Sequence, residues 1–126
     1  MNIKKVVDKL KKDYPGRKII LNDDKNPTEI VCEFQPTSEN PNQSAIIAVI
    51  DKIIPHYHKI STELYEVLKG PVTLYVDGQK HILQDGETFE IKPGKIHYAE
   101  GKEAWIRCTS TPGWTFEDHL LVEKKK

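Results

Sequence analysis

From residue 45 onward the chain is a succession of short apolar runs, each closed by a turn that carries glycine or proline. Residues 45–54 are apolar on both parities apart from Asp51 and Lys52, as suits a strand covered on both faces. Further runs occupy residues 64–68, 72–76, 80–83, 88–91 and 104–108, and another strand starts at His97. Gly70-Pro71, Asp77-Gly78, Asp85-Gly86 and Pro93-Gly94 punctuate them. Asp77-Gly78 is a strong hairpin signal, because a two-residue hairpin turn favours residues that tolerate positive φ. Strands at this spacing, with no strand-helix-strand rhythm, predict an all-β sandwich or small barrel and argue against a parallel α/β sheet.

Ahead of this region Ile3, Val6, Val7 and Leu10 recur at helical spacing, predicting an amphipathic helix over residues 3–12 that ends at Tyr14-Pro15-Gly16. Residues 19–21 and 30–34 are brief strands with a turn at 22–27, and 35–44 is a loop rich in Pro, Ser and Asn. A chain of 126 residues fits one domain with one core. Nineteen basic residues balance nineteen acidic ones, so bulk charge does not point to nucleic acid or a membrane surface. The closing lysines, Lys124 to Lys126, are expected to be a solvated tail. No run approaches the length of a membrane span and the N-terminus lacks the pattern of a signal peptide, so a cytoplasmic location is expected. Cys32 and Cys108 have no metal-type spacing and are expected to be two buried thiols.

The chemistry concentrates in His56-Tyr57-His58, Glu63 and His97. Two histidines one residue apart project to the same side of an extended strand, since side chains alternate with period two. Pro55 favours an extended approach to them. Glu63 needs a short bend to rejoin their site, and His97 can close it from the turn at Pro93-Gly94. Three imidazoles and a carboxylate suit a first-row transition metal, whereas calcium would draw on more oxygen ligands.

Residues 55–70 read PHYHKISTELYEVLKG and residues 86–97 read GETFEIKPGKIH. These resemble the two conserved motifs of the cupin superfamily. The first matches HxH, four residues, Glu, six residues, Gly; the second matches Gly, five residues, PxG, two residues, His. Lys92 stands where the second motif usually has its first proline, a departure at a turn that removes no ligand. The resemblance implies a double-stranded β-helix, the cupin jelly-roll barrel, with a short N-terminal helix. It implies one domain over residues 1–126, with the barrel core at about 45–110 and the tail at 111–126 packed on the outside. It further implies that His56, His58, Glu63 and His97 are ligands to one divalent transition metal per chain (Fe, Mn, Ni, Zn, Co or Cu), and that two chains pair as a homodimer, residues 19–34 being the candidate for strand exchange.

In a six-coordinate centre, four protein ligands leave two positions for water, dioxygen or a bidentate small molecule. The expected partner is therefore a small polar metabolite, not nucleic acid or membrane. Metal-dependent enzyme chemistry, with sugar isomerase and Fe(II)-dependent oxygenase as the classes the resemblance suggests, competes with a non-catalytic binding or sensing role; a filled barrel with no metal is the third reading. No catalytic residue can be assigned. Tyr65 and Val67 share the parity of Glu63 and are expected to face inward, with Glu66 outward. His81 is expected on the surface and His119 in peripheral packing. Either Trp105 and Arg107 or Ile106 and Cys108 look inward, and Arg107 can meet an anionic ligand or a structural carboxylate.

Overall fold

The structure is a computed structural model, described over residues 1–122; the three closing lysines lie outside the described residues. A helix, α1 (Ile3–Asp13), precedes nine strands: β1 (Lys18–Leu21), β2 (Glu29–Gln35), β3 (Ser44–Tyr57), β4 (Thr62–Lys69), β5 (Val72–Val76), β6 (Gln79–Leu83), β7 (Thr88–Ile91), β8 (His97–Thr111) and β9 (Leu120–Leu121). Every described strand pair is antiparallel. No described helix is long and apolar enough to cross a membrane.

The two long strands β3 and β8 run beside each other and serve two sheets. Residues 44–50 of β3 and 104–110 of β8 continue into β2 and β1 on one side and β4 and β7 on the other. Their other halves, including the pairs Lys52↔Glu100 and His56↔His97, continue into β5, β6 and β9. The register shifts between Ile50 and Lys52, opposite Gly101 to Glu103, where Glu103 takes φ 49. A bulge there lets one strand turn from the first sheet into the second. The two runs read separately at His97 and at 104–108 are thus one strand: the charged stretch between them is the bend, not a break. Likewise β3 runs on through Pro55 to Tyr57 and so carries His56 into the barrel.

The space between the sheets holds Ile50, Val67, Leu74, Ile91 and Ile106, all at or below 2 % exposure. A second core lies under α1, where Val6 and Leu10 pack on Ile30, Cys32, Ile47 and Val49. Asn2 caps the helix by accepting from the Lys5 N–H (3.1 Å). Because β2 is covered by α1 on the Ile30–Cys32 face, its other parity, Glu29, Val31 and Glu33, is turned toward the interior of the barrel. Both cysteines are buried free thiols.

Candidate metal centre

Each histidine of the cluster is fixed by the backbone of its own element or of the tail. His56 and His97 are cross-strand partners on β3 and β8, with ring centroids 4.2 Å apart. The turn before His97 is held from two sides: Gly94 N–H donates to the His58 carbonyl (2.7 Å), and Ile96 N–H donates to the Asp77 carboxylate (3.0 Å). Gly94 takes φ 85, a conformation that glycine enters without steric cost. Lys92 is exposed and its carbonyl accepts from the Lys95 N–H (3.4 Å), so the turn closes without a proline there. Glu63 projects from β4 with the same parity as Tyr65 and Val67, and all three are buried.

His56, His58, Glu63 and His97 are all buried, and one ligand atom from each lies within 4.8 Å of the others. The three imidazoles share a further feature. Nδ1 donates to the Ile54 carbonyl in His56, to the Asp118 carbonyl in His58 and to the Lys95 carbonyl in His97, each at 2.9 Å. A carbonyl oxygen only accepts, so each Nδ1 carries the hydrogen and each neutral ring keeps its Nε2 lone pair.

His97 Nε2 and His58 Nε2 approach the same carboxylate oxygen, Glu63 Oε1, at 3.0 and 2.9 Å. The His58 atom is buried and misaligned for a hydrogen bond with it. Electron-pair donors converging on one point require a positive charge between them. A proton on His58 is one source: although burial alone would lower it, the Glu63 carboxylate raises its pKa. Burial would likewise raise Glu63, but His58 and His97 outweigh this and hold it well below the ordinary carboxylate range. Burial, then His97, push His56 down to about 3, which keeps it neutral. A divalent cation meets the same demand with all three rings neutral. Three imidazole nitrogens and one carboxylate oxygen are a donor set that fits a first-row transition metal.

The tail contributes more than the peripheral packing expected of it. The Asp118 carboxylate accepts from Lys59 (2.8 Å), Ile60 (3.0 Å) and Ser61 (3.0 Å) N–H groups, fixing the bend between His58 and Glu63. His119 stacks on His56, ring centroids 4.6 Å apart, and lines the cavity beside it. Trp114 Nε1 donates to His119 Nδ1 (3.4 Å), so this ring has the opposite tautomer from the other three and turns a donor Nε2–H outward from that bond. No nearby spacing marks Asp118 or His119, because β9 returns to β3 only after a 3₁₀ turn at Phe116–Asp118.

A cavity of about 270 Å³ opens from the cluster between the sheets. Tyr65 and Cys108 line it, and the Cys108 thiol donates to Glu63 Oε2 (3.0 Å). Of the remaining sites left open, His81 packs against Phe89 away from the cavity, Trp105 joins the core under α1, and Arg107 pairs on the outer face with Glu66 (3.1 Å). Ile106 and Cys108 are therefore the inward pair.

The family model for the cupin domain matches residues 45–104. An uncharacterized protein of Aquifex aeolicus (strain VF5) is 36% identical over 89 residues, 68% of this chain and 74% of that one. Quercetin 2,3-dioxygenase of Bacillus subtilis (strain 168) is 34% identical over 47 residues, 37% of this chain and 14% of that one. Among solved structures, a variant of Streptomyces PAC13 with uridine superposes with a TM-score of 0.75 at 10% identity, over 90% of each chain, which speaks for the fold alone. Motif order, barrel and family model agree, and the chain belongs to the cupin family.

Proposed function

We propose that this protein is a metal-dependent cupin, one domain over its 126 residues, that holds one divalent transition metal on His56, His58, Glu63 and His97 and receives a small polar metabolite in the adjoining cavity. The observation that carries this is the shared tautomer of the three imidazoles: three backbone carbonyls aim three Nε2 lone pairs and a carboxylate at one point. A bound metal would supply polarisation of a ligand oxygen or a lowered pKa of bound water. The chain's own part is to orient the four donors, to bury them, and to hold a ligand beside them. At about 270 Å³ the cavity is near the small end of ligand pockets, and it argues against a filled structural barrel.

Elemental analysis of the untagged full chain should find about one transition metal per chain, with most of it lost in His58→Ala and in Glu63→Ala. Unchanged metal content in both variants overturns the assignment. The partial likeness to a dioxygenase favours Fe(II)-dependent oxygenase chemistry as the first enzyme class to screen, by oxygen uptake of the iron-loaded protein. Isomerase chemistry and a non-catalytic binding role are the competing readings of the same cavity. The edge of the first sheet at β1, which has no further strand beyond it among the described residues, supports pairing of two copies as a homodimer. Sedimentation as a monomer at micromolar concentration would rule that out.

A further inference from the structure

Part of the cavity wall comes from β2, the neighbour of β3 in the first sheet. Glu29, Glu33 and Gln35 line it, and the described lining includes no lysine or arginine. Glu29 lies close enough to the cluster for Glu63 to act on it electrostatically. Burial first, then the charge of Glu63, push the Glu29 carboxyl up to about 7, and no hydrogen bond or cation among the described residues offsets either effect. A carboxyl placed there offers a ligand an acceptor as the carboxylate and a donor when protonated.

The charges of the cavity add up in one direction. A divalent cation at the cluster is countered first by Glu63, and the carboxyls of Glu29 and Glu33 then face the remaining space. An anionic ligand would find the metal as its only positive partner and would bring its charge toward two carboxyls. A ligand with hydroxyl or amine hydrogens would find acceptors already in place. Neither carboxyl has a hydrogen-bond or ion-pair partner among the described residues, so their acceptor oxygens are open to a ligand.

We propose that Glu29 is the ligand-anchoring residue of this cavity, and that the cavity takes a small uncharged or cationic compound bearing hydroxyl or amino groups, to the exclusion of carboxylate- and phosphate-bearing ones. This rests on the metal reading above and narrows the ligand class for that site. Glu33 supports the same selection from farther along β2. Nothing in the two sequence motifs carries this property; it comes from the inward parity of a strand that precedes them.

The test uses the full chain loaded with cobalt(II), whose metal content is measured first, and two oxygen chelators of similar size. Dihydroxyacetone is uncharged and oxalate is a dianion. Each is titrated against wild type, Glu29→Gln and Glu33→Gln, following the cobalt absorption spectrum. In Glu29→Gln dihydroxyacetone should bind about tenfold more weakly, as for a lost hydrogen bond to a charged group. Oxalate should bind several-fold more tightly in that variant, with smaller shifts of the same signs in Glu33→Gln. Stoichiometric cobalt with unchanged affinities, with both probes shifting alike, or with no saturable binding of dihydroxyacetone to wild type overturns this inference and leaves the metal reading standing. A wild type that takes up no cobalt overturns both.

Discussion

Two walls of one cavity are built on opposite terms. On the motif side the donors are fixed in place: three Nδ1 atoms bond three carbonyls, and Glu63 oxygens face His58, His97 and the Cys108 thiol. The buried Nε2 of His58 is left without a hydrogen bond. On the β2 side, Glu29 and Glu33 face the same space without a cation among the described residues. The first wall is organised in advance to hold something positive. The second is left for a ligand to satisfy. Fixing the donors and leaving the β2 wall unsatisfied separates the holding of a metal from the choice of what binds beside it.

The largest effect is expected where the tail secures the motif wall. Asp118 is 5 % exposed and gathers three backbone N–H groups of the bend between two cluster residues. Asp118→Ala strands these donors. Each hydrogen bond to a charged acceptor contributes about 1.5–3 kcal/mol, partly recovered by water, so a loss of roughly 3 kcal/mol is expected in urea unfolding. Removing an outer support of a metal ligand typically weakens metal binding by about tenfold to a hundredfold, and zinc titration of the variant should show it. A loss below about 1 kcal/mol together with wild-type zinc affinity would show that the motif wall needs no help from the tail.

What the sequence disclosed follows the same division. The HxH pair, Glu63, the Gly94 turn and His97 were legible because period-two alternation and a glycine turn are local, and locality is what a linear pattern records. The inward parity of Tyr65 and Val67 followed from Glu63 by the same rule. The boundary at 101–103 was misread because a bulge in one strand and a loop between two strands share the same polar composition. Glu29 could be placed only once α1 was known to cover the Ile30–Cys32 face, a contact between segments with no local mark. Asp118 and His119 were hidden for a related reason. Their work is done on residues about sixty positions upstream, and the short 3₁₀ turn that delivers them has no apolar period.

A smaller effect tests the unsatisfied wall directly, through pH. The Glu29 carboxyl moves from an ordinary 4.5 up to about 7 in the folded chain, so folding favours its protonated form. The sign follows: a pKa raised by folding adds stability that is complete below about 4.5 and is lost as pH rises through about 7. The titratable groups that line the cavity with Glu29 are Glu33 on its own strand, His56 and His58 at the end of β3, Glu63 and Tyr65 on β4, Cys108 on β8 and His119 in the tail. Only the imidazoles can offset its charge: burial lowers His56 and His119, while His58, raised by Glu63, is paired with that carboxylate. In chelator-treated, metal-free protein, Glu29→Gln should therefore be more stable than wild type by about 2 kcal/mol at pH 8, and by less than about 1 kcal/mol at pH 5. Metal should shrink the gain at pH 8, because a nearby dication favours the charged carboxylate. Urea midpoints at the two pH values, with and without zinc, measure all four corners. A gain that is equal at both pH values would mean that Glu29 is already satisfied in the folded chain, and the contrast between the two walls would fall with it.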